Sequence, residues 1–288
     1  MNMKKFFSLG LALTLALGTL TACGTKEEQS AAPASSQGAA VVEELSGSVN
    51  LDGSTSMEKV VGILIESFNE IYPDVTISYN GSGSGAGITA AIDGTADMGL
   101  SSRELKDEEA GKGAVANLVA LDGVAVVVNP ENTVEDLTTQ QNADIFSGKI
   151  TNWAEVGGAD GPIAVLGREP GSGTRGAFEE LLGVEDACVY NAEYSSTGDV
   201  IGQVSTNPNA IGYASLSAVS DDVKALKVDG VVCSEATVKD GTFPIQRPFL
   251  IVTKEGAELS PAAQAFLDYA QSAEVAGLIA QAGAVSPN

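Results

Sequence analysis

Short apolar β-type runs alternate with amphipathic helical patterns along most of this 288-residue chain. Residues 75–79 read Val-Thr-Ile-Ser-Tyr and precede a Gly/Ser loop, after which Ile88, Ala91 and Ile92 recur at helical spacing. The same order returns at residues 163–182, where Ile-Ala-Val-Leu precedes a Gly/Ser/Thr loop and another helical pattern. Chains that alternate in this way form parallel strands with helices packed on the sheet. The sequence therefore predicts an α/β protein with largely parallel strand pairing.

The composition excludes several functional classes. The chain has no histidine, which excludes a Ser-His-Asp triad, a His-bound zinc and a His general base. Its 15 Lys and Arg residues face 38 Asp and Glu residues, for a formal net charge of −23. No window contains the basic run that neutralises nucleic-acid phosphates. We therefore expect no nucleic-acid partner.

The N-terminus has the pattern of a secretory signal. Lys4 and Lys5 precede an apolar run over residues 6–22 that is too short for a comfortable membrane span. The run leads into Leu-Thr-Ala-Cys at residues 20–23, which resembles the lipobox of bacterial lipoproteins, where the cysteine is lipidated. An ordinary signal peptide followed by an incidental cysteine is the alternative. We expect an exported protein that is anchored to the membrane by lipid on Cys23.

Composition and strand patterns divide the rest of the chain. A stretch rich in Ala, Ser, Gln, Glu, Pro and Gly follows Cys23 and predicts a flexible tether. Two apolar strands, at residues 124–128 and 249–252, bracket a middle section with strands and helices of its own, and we interpret them as crossovers. A ligand would lie in the cleft between the two lobes. The predicted division is a signal peptide at 1–22, a lipidated Cys23 and tether at 23–45, lobe I at 46–126 plus 249–288, and lobe II at 127–248.

Cys188 and Cys233 remain in the predicted globular part. An exported chain permits a disulfide between them, but their spacing does not establish one. Cys233 follows two valines in a pattern that is typical of a protein core. We favour free thiols at both positions.

Three loops rich in Ser, Thr and Gly each lie between a predicted strand and a predicted helix, at residues 53–56, 81–85 and 171–175. Hydroxyls supply hydrogen-bond donors, glycines let backbone N–H groups approach a ligand, and a helix N-terminus adds partial positive charge. Each loop by itself is also typical of an ordinary N-cap or turn. Three similar loops, two in lobe I and one in lobe II, favour a shared anionic ligand.

Two arginines add to this pattern. Arg168 ends a predicted strand shortly before Ser172, and Arg103 follows the strand-to-loop segment at residues 97–102. An arginine beside a donor-rich loop is suited to clamping an oxyanion through two parallel hydrogen bonds. The alternative is a solvated arginine or a salt bridge to Glu104 or Glu169. We favour the clamp for Arg168, whereas the two interpretations are close for Arg103.

Several segments together resemble, in order through the globular chain, the phosphate-binding proteins of bacterial phosphate ABC importers. The most specific are residues 146–153, which read Phe-Ser-Gly-Lys-Ile-Thr-Asn-Trp, and the Gly-Ser-Gly-Thr loop at 171–174. The others are residues 54–57, 81–87, 97–103, 144–145, 209–213 and 247–249, together with Arg168. The resemblance implies a two-lobed type II periplasmic-binding-protein fold, in which each lobe is a mainly parallel sheet flanked by helices and two hinge strands join the lobes.

The resemblance also implies a function. Such proteins close around one dehydrated phosphate and deliver it to the permease and ATPase subunits of an importer in the membrane. On this basis we expect a monomer without enzymatic activity, cofactor or metal. The ligand donors that the resemblance implies are Thr55 and Ser56 in the first loop, Ser84 in the second, and Arg168, Ser172, Gly173 and Thr174 in lobe II.

The chain departs from the family at Ser102, where well-known members carry an aspartate. That carboxylate accepts the proton of hydrogen phosphate and repels fully ionised sulfate. We hypothesise that Ser102 and Arg103 line the site, that Arg103 adds positive charge, and that Asp97 or a serine oxygen serves as the acceptor. On this hypothesis Arg103→Ala weakens phosphate binding by about tenfold or more.

Other functions stay open on the sequence. The same fold serves for sulfate, molybdate or another tetrahedral oxyanion, and for an adhesive or signalling lipoprotein that binds no oxyanion. Ser56 and Lys59 fit the S-x-x-K motif of acyl-transfer enzymes, although the supporting K-T-G strand is absent from the sequence. Residues 81–86 approximate a dinucleotide-binding fingerprint, which is a weak signal by itself.

Overall fold

The computed structural model describes residues 45–287. The signal peptide, Cys23 and the tether up to residue 44 lie outside the described residues, and their assignments stay predictions. The strands are β1 (Gly47–Gly53), β2 (Val75–Asn80), β3 (Met98–Ser101), β4 (Ala114–Val128), β5 (Asp136–Leu137), β6 (Ala164–Arg168), β7 (Ala192–Tyr194), β8 (Ala210–Ser215), β9 (Lys224–Ala225), β10 (Lys227–Val228) and β11 (Gln246–Lys254). The α-helices are α1 (Glu58–Ile71), α2 (Ser84–Asp93), α3 (Asp107–Ala110), α4 (Thr139–Phe146), α5 (Gly173–Leu182), α6 (Thr197–Thr206), α7 (Glu235–Lys239), α8 (Pro261–Ala270) and α9 (Ala276–Gln281). Among these helices, none combines the length and apolar character needed to cross a membrane.

Parallel pairing dominates both ends of the main sheet, as the sequence predicts. In the first half of the chain β1 lies between β2 and β3 and is parallel to both. In the middle section β6 lies between β7 and β8 and is again parallel to both. Each of these units alternates with helices, so the predicted α/β class is confirmed.

Two long antiparallel strands join the parallel ends. The order along the main sheet is β2-β1-β3-β11-β4-β8-β6-β7, with β9 paired to β4, and β10 and β5 form a separate pair. The central strands β4 and β11 run antiparallel to each other from Gln246 opposite Gly123 to Lys254 opposite Ala114. The apolar runs interpreted as crossovers, residues 124–128 and 249–252, belong to these two strands.

Two main hydrophobic cores lie on the sheet. The first packs α1 and α8 against β1, with the rings of Phe68 and Phe266 edge-on at 5.4 Å. The second contains Phe178 stacked on Tyr213 at 4.2 Å. Such pairs are worth about 0.5–1.5 kcal/mol beyond the area they bury. We use lobe I and lobe II for the parts of the chain around the first and the second core.

The central strands change from one core to the other partway along their length. Ala120 of β4 lies in the first core and Val124 in the second. On the return path Ile245 lies in the second core and Phe249 in the first. The chain therefore passes between the lobes at two adjacent points of one antiparallel pair. The residue boundaries of the lobes stay predictions.

The apolar side of α1 is largely buried. Val60, Val61, Leu64 and Phe68 are all at most 1% exposed. Ile71, which continues the same apolar spacing, is 49% exposed because it is the last residue of the helix. The periodicity thus locates the core side of the helix correctly and fails in its final turn.

Cys188 and Cys233 are both free thiols. Cys233 is 6% exposed in the second core, as its apolar surroundings predict. Cys188 is half-buried, and burial raises the pKa of its thiol to about 11. Neither thiol therefore has the lowered pKa of a reactive cysteine.

Candidate anion site at the junction of the lobes

The predicted Ser/Thr/Gly loops meet where strands end and helices begin. Thr55 and Ser56 follow β1 in the 3-10 turn that leads into α1. Ser84 is the first residue of α2, and Ser102 follows β3 directly. In lobe II, Gly173 is the first residue of α5. The carboxyl ends of parallel strands thus place these residues at one location.

Hydroxyl groups of the two lobes touch each other at this location. The Ser56 hydroxyl lies 2.6 Å from that of Thr174 and 3.0 Å from that of Thr197. The hydroxyls of Thr55 and Thr197 are 3.2 Å apart. Within lobe I, Ser102 Oγ accepts from Ser54 Oγ at 2.8 Å and lies 3.3 Å from Ser84 Oγ. We call these side chains the hydroxyl cluster: Ser54, Thr55, Ser56, Ser84, Ser102, Thr174 and Thr197.

The lobes approach closely because Gly173 has no side chain. A Cβ built at Gly173 would lie 2.2 Å from Ser84 Oγ and 2.7 Å from Ser102 Oγ. The backbone N–H of Gly85 also donates to the Gly171 carbonyl across the junction at 2.9 Å. At the same helix terminus, Ser172 caps α5 by accepting from the Arg175 N–H at 3.3 Å. The α5 N-terminus therefore faces the lobe I hydroxyls at close range.

Arg168 is a buried cation at the edge of the hydroxyl cluster. It is 2% exposed and donates to the hydroxyl of Thr197 at 3.0 Å. The other hydrogen bonds of its side chain go to the carbonyls of Tyr194 and Ser195, at 3.1 and 2.7 Å. All three acceptors are neutral, and the ion pairs found within residues 45–287 do not include Arg168. Burial lowers its pKa to about 10. A buried charge without an ion-pair partner is costly, so an anion at this position would be stabilised strongly.

The structure does not bring the Arg103 guanidinium to the cluster. Its two terminal nitrogens bind both carboxylate oxygens of Glu109, at 2.8 and 2.7 Å, and one also donates to the Glu104 carbonyl. Burial alone would raise the pKa of Glu109, but the hydrogen bonds from Arg103 and from the Lys106 backbone hold it below its ordinary value. The salt-bridge alternative thus fits Arg103, with Glu109 as partner rather than Glu104 or Glu169. The expected clamp by Arg103 has no supporting contact.

We expect the double variant Arg103→Ala/Glu109→Gln to bind phosphate within about threefold of the parent, because it removes a pair that is neutral as a unit. The single variant Arg103→Ala should bind more weakly than the double variant, since it leaves the Glu109 carboxylate uncompensated beside the site. Calorimetric titration of the three proteins makes the comparison. A loss of tenfold or more in the double variant would restore Arg103 as a direct ligand.

Thr197 was missed by the sequence analysis. It lies at the start of α6, after β7, and contacts Arg168 as well as two hydroxyls of lobe I. Residues 195–198 read Ser-Ser-Thr-Gly between a strand and a helix, which is the pattern that identified the other three loops. The signal was therefore present in the sequence.

The proposed acceptor Asp97 lies away from the cluster, where its carboxylate accepts from the Asn50 backbone N–H at 2.7 Å. Within residues 45–287, no carboxylate oxygen is hydrogen-bonded to a side chain of the hydroxyl cluster. The Ser-Lys interpretation also lacks support, because Ser56 pairs with hydroxyls of lobe II while Lys59 is exposed. Within residues 45–287, the candidate site brings together hydroxyls, helix N-termini and one buried cation that has no ion-pair partner.

The fold and the site define a solute-binding protein with the type II periplasmic-binding-protein fold. A profile described as PBP superfamily domain matches residues 29–274. The chain is 35% identical to the phosphate-binding protein PstS of Bacillus subtilis, over 88% of this chain and 84% of that protein. It therefore belongs to the PstS family of phosphate-binding proteins within the PBP superfamily.

Solved structures agree with this assignment. A Clostridium perfringens substrate-binding protein of the phosphate ABC transporter class, solved with bound phosphate, is 41% identical. It matches with a TM-score of 0.81 over 84% of this chain and 100% of that one. An ABC-type phosphate transport receptor from Vibrio cholerae is 33% identical, with a TM-score of 0.69 over 83% of this chain and 100% of that one.

Proposed function

We propose that this protein captures inorganic phosphate between its lobes and delivers it to an ABC importer. The observation that carries the proposal is Arg168, a cation that is 2% exposed and has only neutral acceptors. A tetrahedral oxyanion beside it would supply the missing negative charge and accept hydrogen bonds on several sides. The phosphate-binding relatives support the choice of phosphate.

The donors proposed for phosphate surround this position. Hydroxyls that now contact each other across the junction, such as those of Ser56 and Thr174, would turn to the anion. The N-terminus of α5 adds backbone N–H groups and a partial positive charge. A micromolar affinity requires about −8 kcal/mol, and hydrogen bonds to a charged group contribute about 1.5–3 kcal/mol each. The proposed ligand set is Thr55, Ser56, Ser84, Ser102, Arg168, Ser172, Gly173, Thr174 and, in addition to the sequence prediction, Thr197.

Entry and release would require the lobes to separate. The lobes touch through the Ser56 and Thr174 hydroxyls, so phosphate cannot reach the cluster without movement. The central pair β4 and β11 is the natural hinge, because the chain changes cores within it at two adjacent points. We propose that lobe I (residues 46–126 plus 249–288) and lobe II (residues 127–248) move about this pair.

The cellular location of the protein is part of the proposal. The signal-like N-terminus supports export, and the lipobox supports a lipid anchor on Cys23 that holds the protein at the outer face of the cell membrane. There a monomer would hand phosphate to the permease and ATPase subunits of an importer. We assign it no catalytic activity, since the Ser56 hydroxyl faces other hydroxyls rather than a base.

Calorimetric titration of the chain from residue 24 onward tests the proposal, after unfolding and refolding to remove bound anion. We expect one-to-one binding of phosphate at micromolar or lower Kd, about −8 kcal/mol or stronger. Phosphate binding that persists in a large excess of sulfate would show that selectivity does not require a carboxylate in the hydroxyl cluster. The function would be ruled out if millimolar phosphate gave no binding heat in the titration and did not raise the melting temperature of the protein.

A receptor for a broader set of oxyanions is the second candidate. It is favoured by the hydroxyl cluster itself, whose side chains have no hydrogen bond to a carboxylate within residues 45–287. Without such an acceptor, a protonated oxyanion loses its advantage over sulfate or molybdate. Displacement of phosphate by equimolar sulfate in the same titration would establish this alternative.

A further inference from the structure

A buried ion pair lies in the central strands, beside the hydroxyl cluster but outside it. Asp122 of β4 and Arg247 of β11 are direct partners in the antiparallel register. Arg247 donates from Nε and Nη2 to Asp122 Oδ2, at 3.0 and 2.9 Å. The side chain of Arg247 is 1% exposed and that of Asp122 is 0% exposed. The pair therefore spans the two strands in the region where the chain changes cores.

The arginine of this pair also binds the backbone of lobe I. Its Nη1 donates to the carbonyl of Ser102 at 3.1 Å. Ser102 belongs to the hydroxyl cluster, and its own N–H donates to Ser84 Oγ at 3.1 Å. A planar guanidinium can bind the Asp122 carboxylate and the Ser102 carbonyl at once, because its N–H groups point in fixed directions.

The aspartate of the pair connects to the other lobe. Asp122 Oδ1 accepts from the hydroxyl of Ser215, which ends β8 in lobe II, at 2.8 Å. Ser215 Oγ lies 2.6 Å from Ser217 Oγ. Ser217 in turn donates to the backbone carbonyl of Ser56 at 3.3 Å. These polar contacts run from the central strands through lobe II to the first loop of lobe I, with the single proton of the Ser217 hydroxyl shared between Ser215 Oγ and the Ser56 carbonyl.

Stability alone gives a weak reason for such a pair. Desolvation of two charges offsets most of their attraction, and apolar residues of similar volume are often as stable or more so. The pair instead fixes geometry: Arg247 binds the Ser102 backbone directly, and Asp122 is linked to the Ser56 backbone through Ser215 and Ser217. The contact from Ser217 to Ser56 also requires the two lobes to be together.

We propose that Asp122 and Arg247 are positioning residues for anion binding. Arg247 holds the Ser102 backbone, and Asp122 orients Ser215 and Ser217 so that lobe II is tied to the Ser56 backbone when the lobes meet. Neither residue touches the anion. This inference rests on the proposed function, because it concerns how the same site closes on its ligand.

Three variants test it: Ser217→Ala, Arg247→Lys and the control Ser220→Ala. Ser220 is exposed in the same segment and donates to Asp222 at 2.9 Å. For each we would measure phosphate affinity by calorimetry, phosphate dissociation by stopped flow, and urea unfolding without phosphate.

Phosphate should dissociate about fivefold faster from Ser217→Ala, with little change in its association rate, as expected for one lost hydrogen bond in the closed state. Arg247→Lys should weaken affinity by about tenfold or more, because an ammonium cannot serve both acceptors in the same geometry.

The outcomes separate a positioning role from a structural one. If Arg247→Lys and Ser217→Ala lower only the urea midpoint while affinity and dissociation match the Ser220→Ala control, the inference is wrong. If Arg247→Lys fails to fold, the rate of phosphate dissociation from Ser217→Ala alone decides whether the inference holds. A parent protein that does not bind phosphate contradicts the proposed function itself, whereas a binding parent with unchanged variants contradicts only the positioning role.

Discussion

Replacing Arg168 by methionine should weaken phosphate binding by about a hundredfold or more. The guanidinium is 2% exposed, and the hydrogen bonds and ion pairs described within residues 45–287 give it only neutral partners. Its charge is therefore available to an anion in a dry setting, where charged hydrogen bonds are worth about 1.5–3 kcal/mol each. The loss of two such hydrogen bonds would weaken phosphate affinity by the predicted hundredfold or more. Calorimetric titration would measure this loss.

Two further variants make this test specific. Lys149→Met removes one positive charge from a side chain that is 67% exposed in lobe II, and it should leave affinity unchanged. Arg168→Lys keeps the charge but loses the planar fork, so we expect it to bind more weakly than the parent and better than Arg168→Met. Near-parental affinity in Arg168→Met would place the anion elsewhere and remove the main support for the proposed function.

The sequence predicted the parts of this site that depend on local patterns. A Ser/Thr/Gly loop between a strand and a helix is recognisable within a few residues, and parallel strands bring such loops to one edge of a sheet. Ser56, Ser84 and Thr174 were found in this way, and the structure places all three in the hydroxyl cluster. Thr197 carries the same local signal, Ser-Ser-Thr-Gly between a strand and a helix, so its position in the cluster was also predictable from the sequence.

The sequence could not predict side-chain contacts that depend on the register between distant strands. Arg247 and Asp122 are 125 residues apart, and only the pairing of β4 with β11 makes them neighbours. The ion-pair partner of Arg103 was not predicted for a different reason. Its partner Glu109 lies on α3, a helix of four residues that is too short to give a periodic signal, so the local acceptor was overlooked. A single sequence shows which arginines are near a loop but not which carboxylates neutralise them.

Gly173→Ala should abolish tight phosphate binding while leaving the lobes folded. A Cβ at this position would lie 2.2 Å from Ser84 Oγ and 2.8 Å from Ser84 Cβ, so the N-terminus of α5 could not approach lobe I. The added methyl group would prevent the closed arrangement, in which the proposed donors of both lobes would face one anion. We expect at least about a hundredfold weaker binding, corresponding to about 2.7 kcal/mol. Titration calorimetry would measure the loss, and small-angle X-ray scattering would show that phosphate no longer compacts the protein.

A control variant distinguishes a loss of lobe closure in Gly173→Ala from a loss of folding. Gly173 starts a helix and has no positive φ, so alanine suits its backbone and should favour the helix by up to about 1 kcal/mol. Gly202→Ala makes the same change inside α6, where no atom beyond the chain neighbours and the backbone of the helix itself lies within 4 Å of the new methyl group, and should bind phosphate like the parent. Urea unfolding without phosphate should give both variants a midpoint at or above that of the parent. If Gly173→Ala binds phosphate as tightly as Gly202→Ala does, the lobes do not need this close approach, and the anion lies outside the junction of α5 with Ser84 and Ser102.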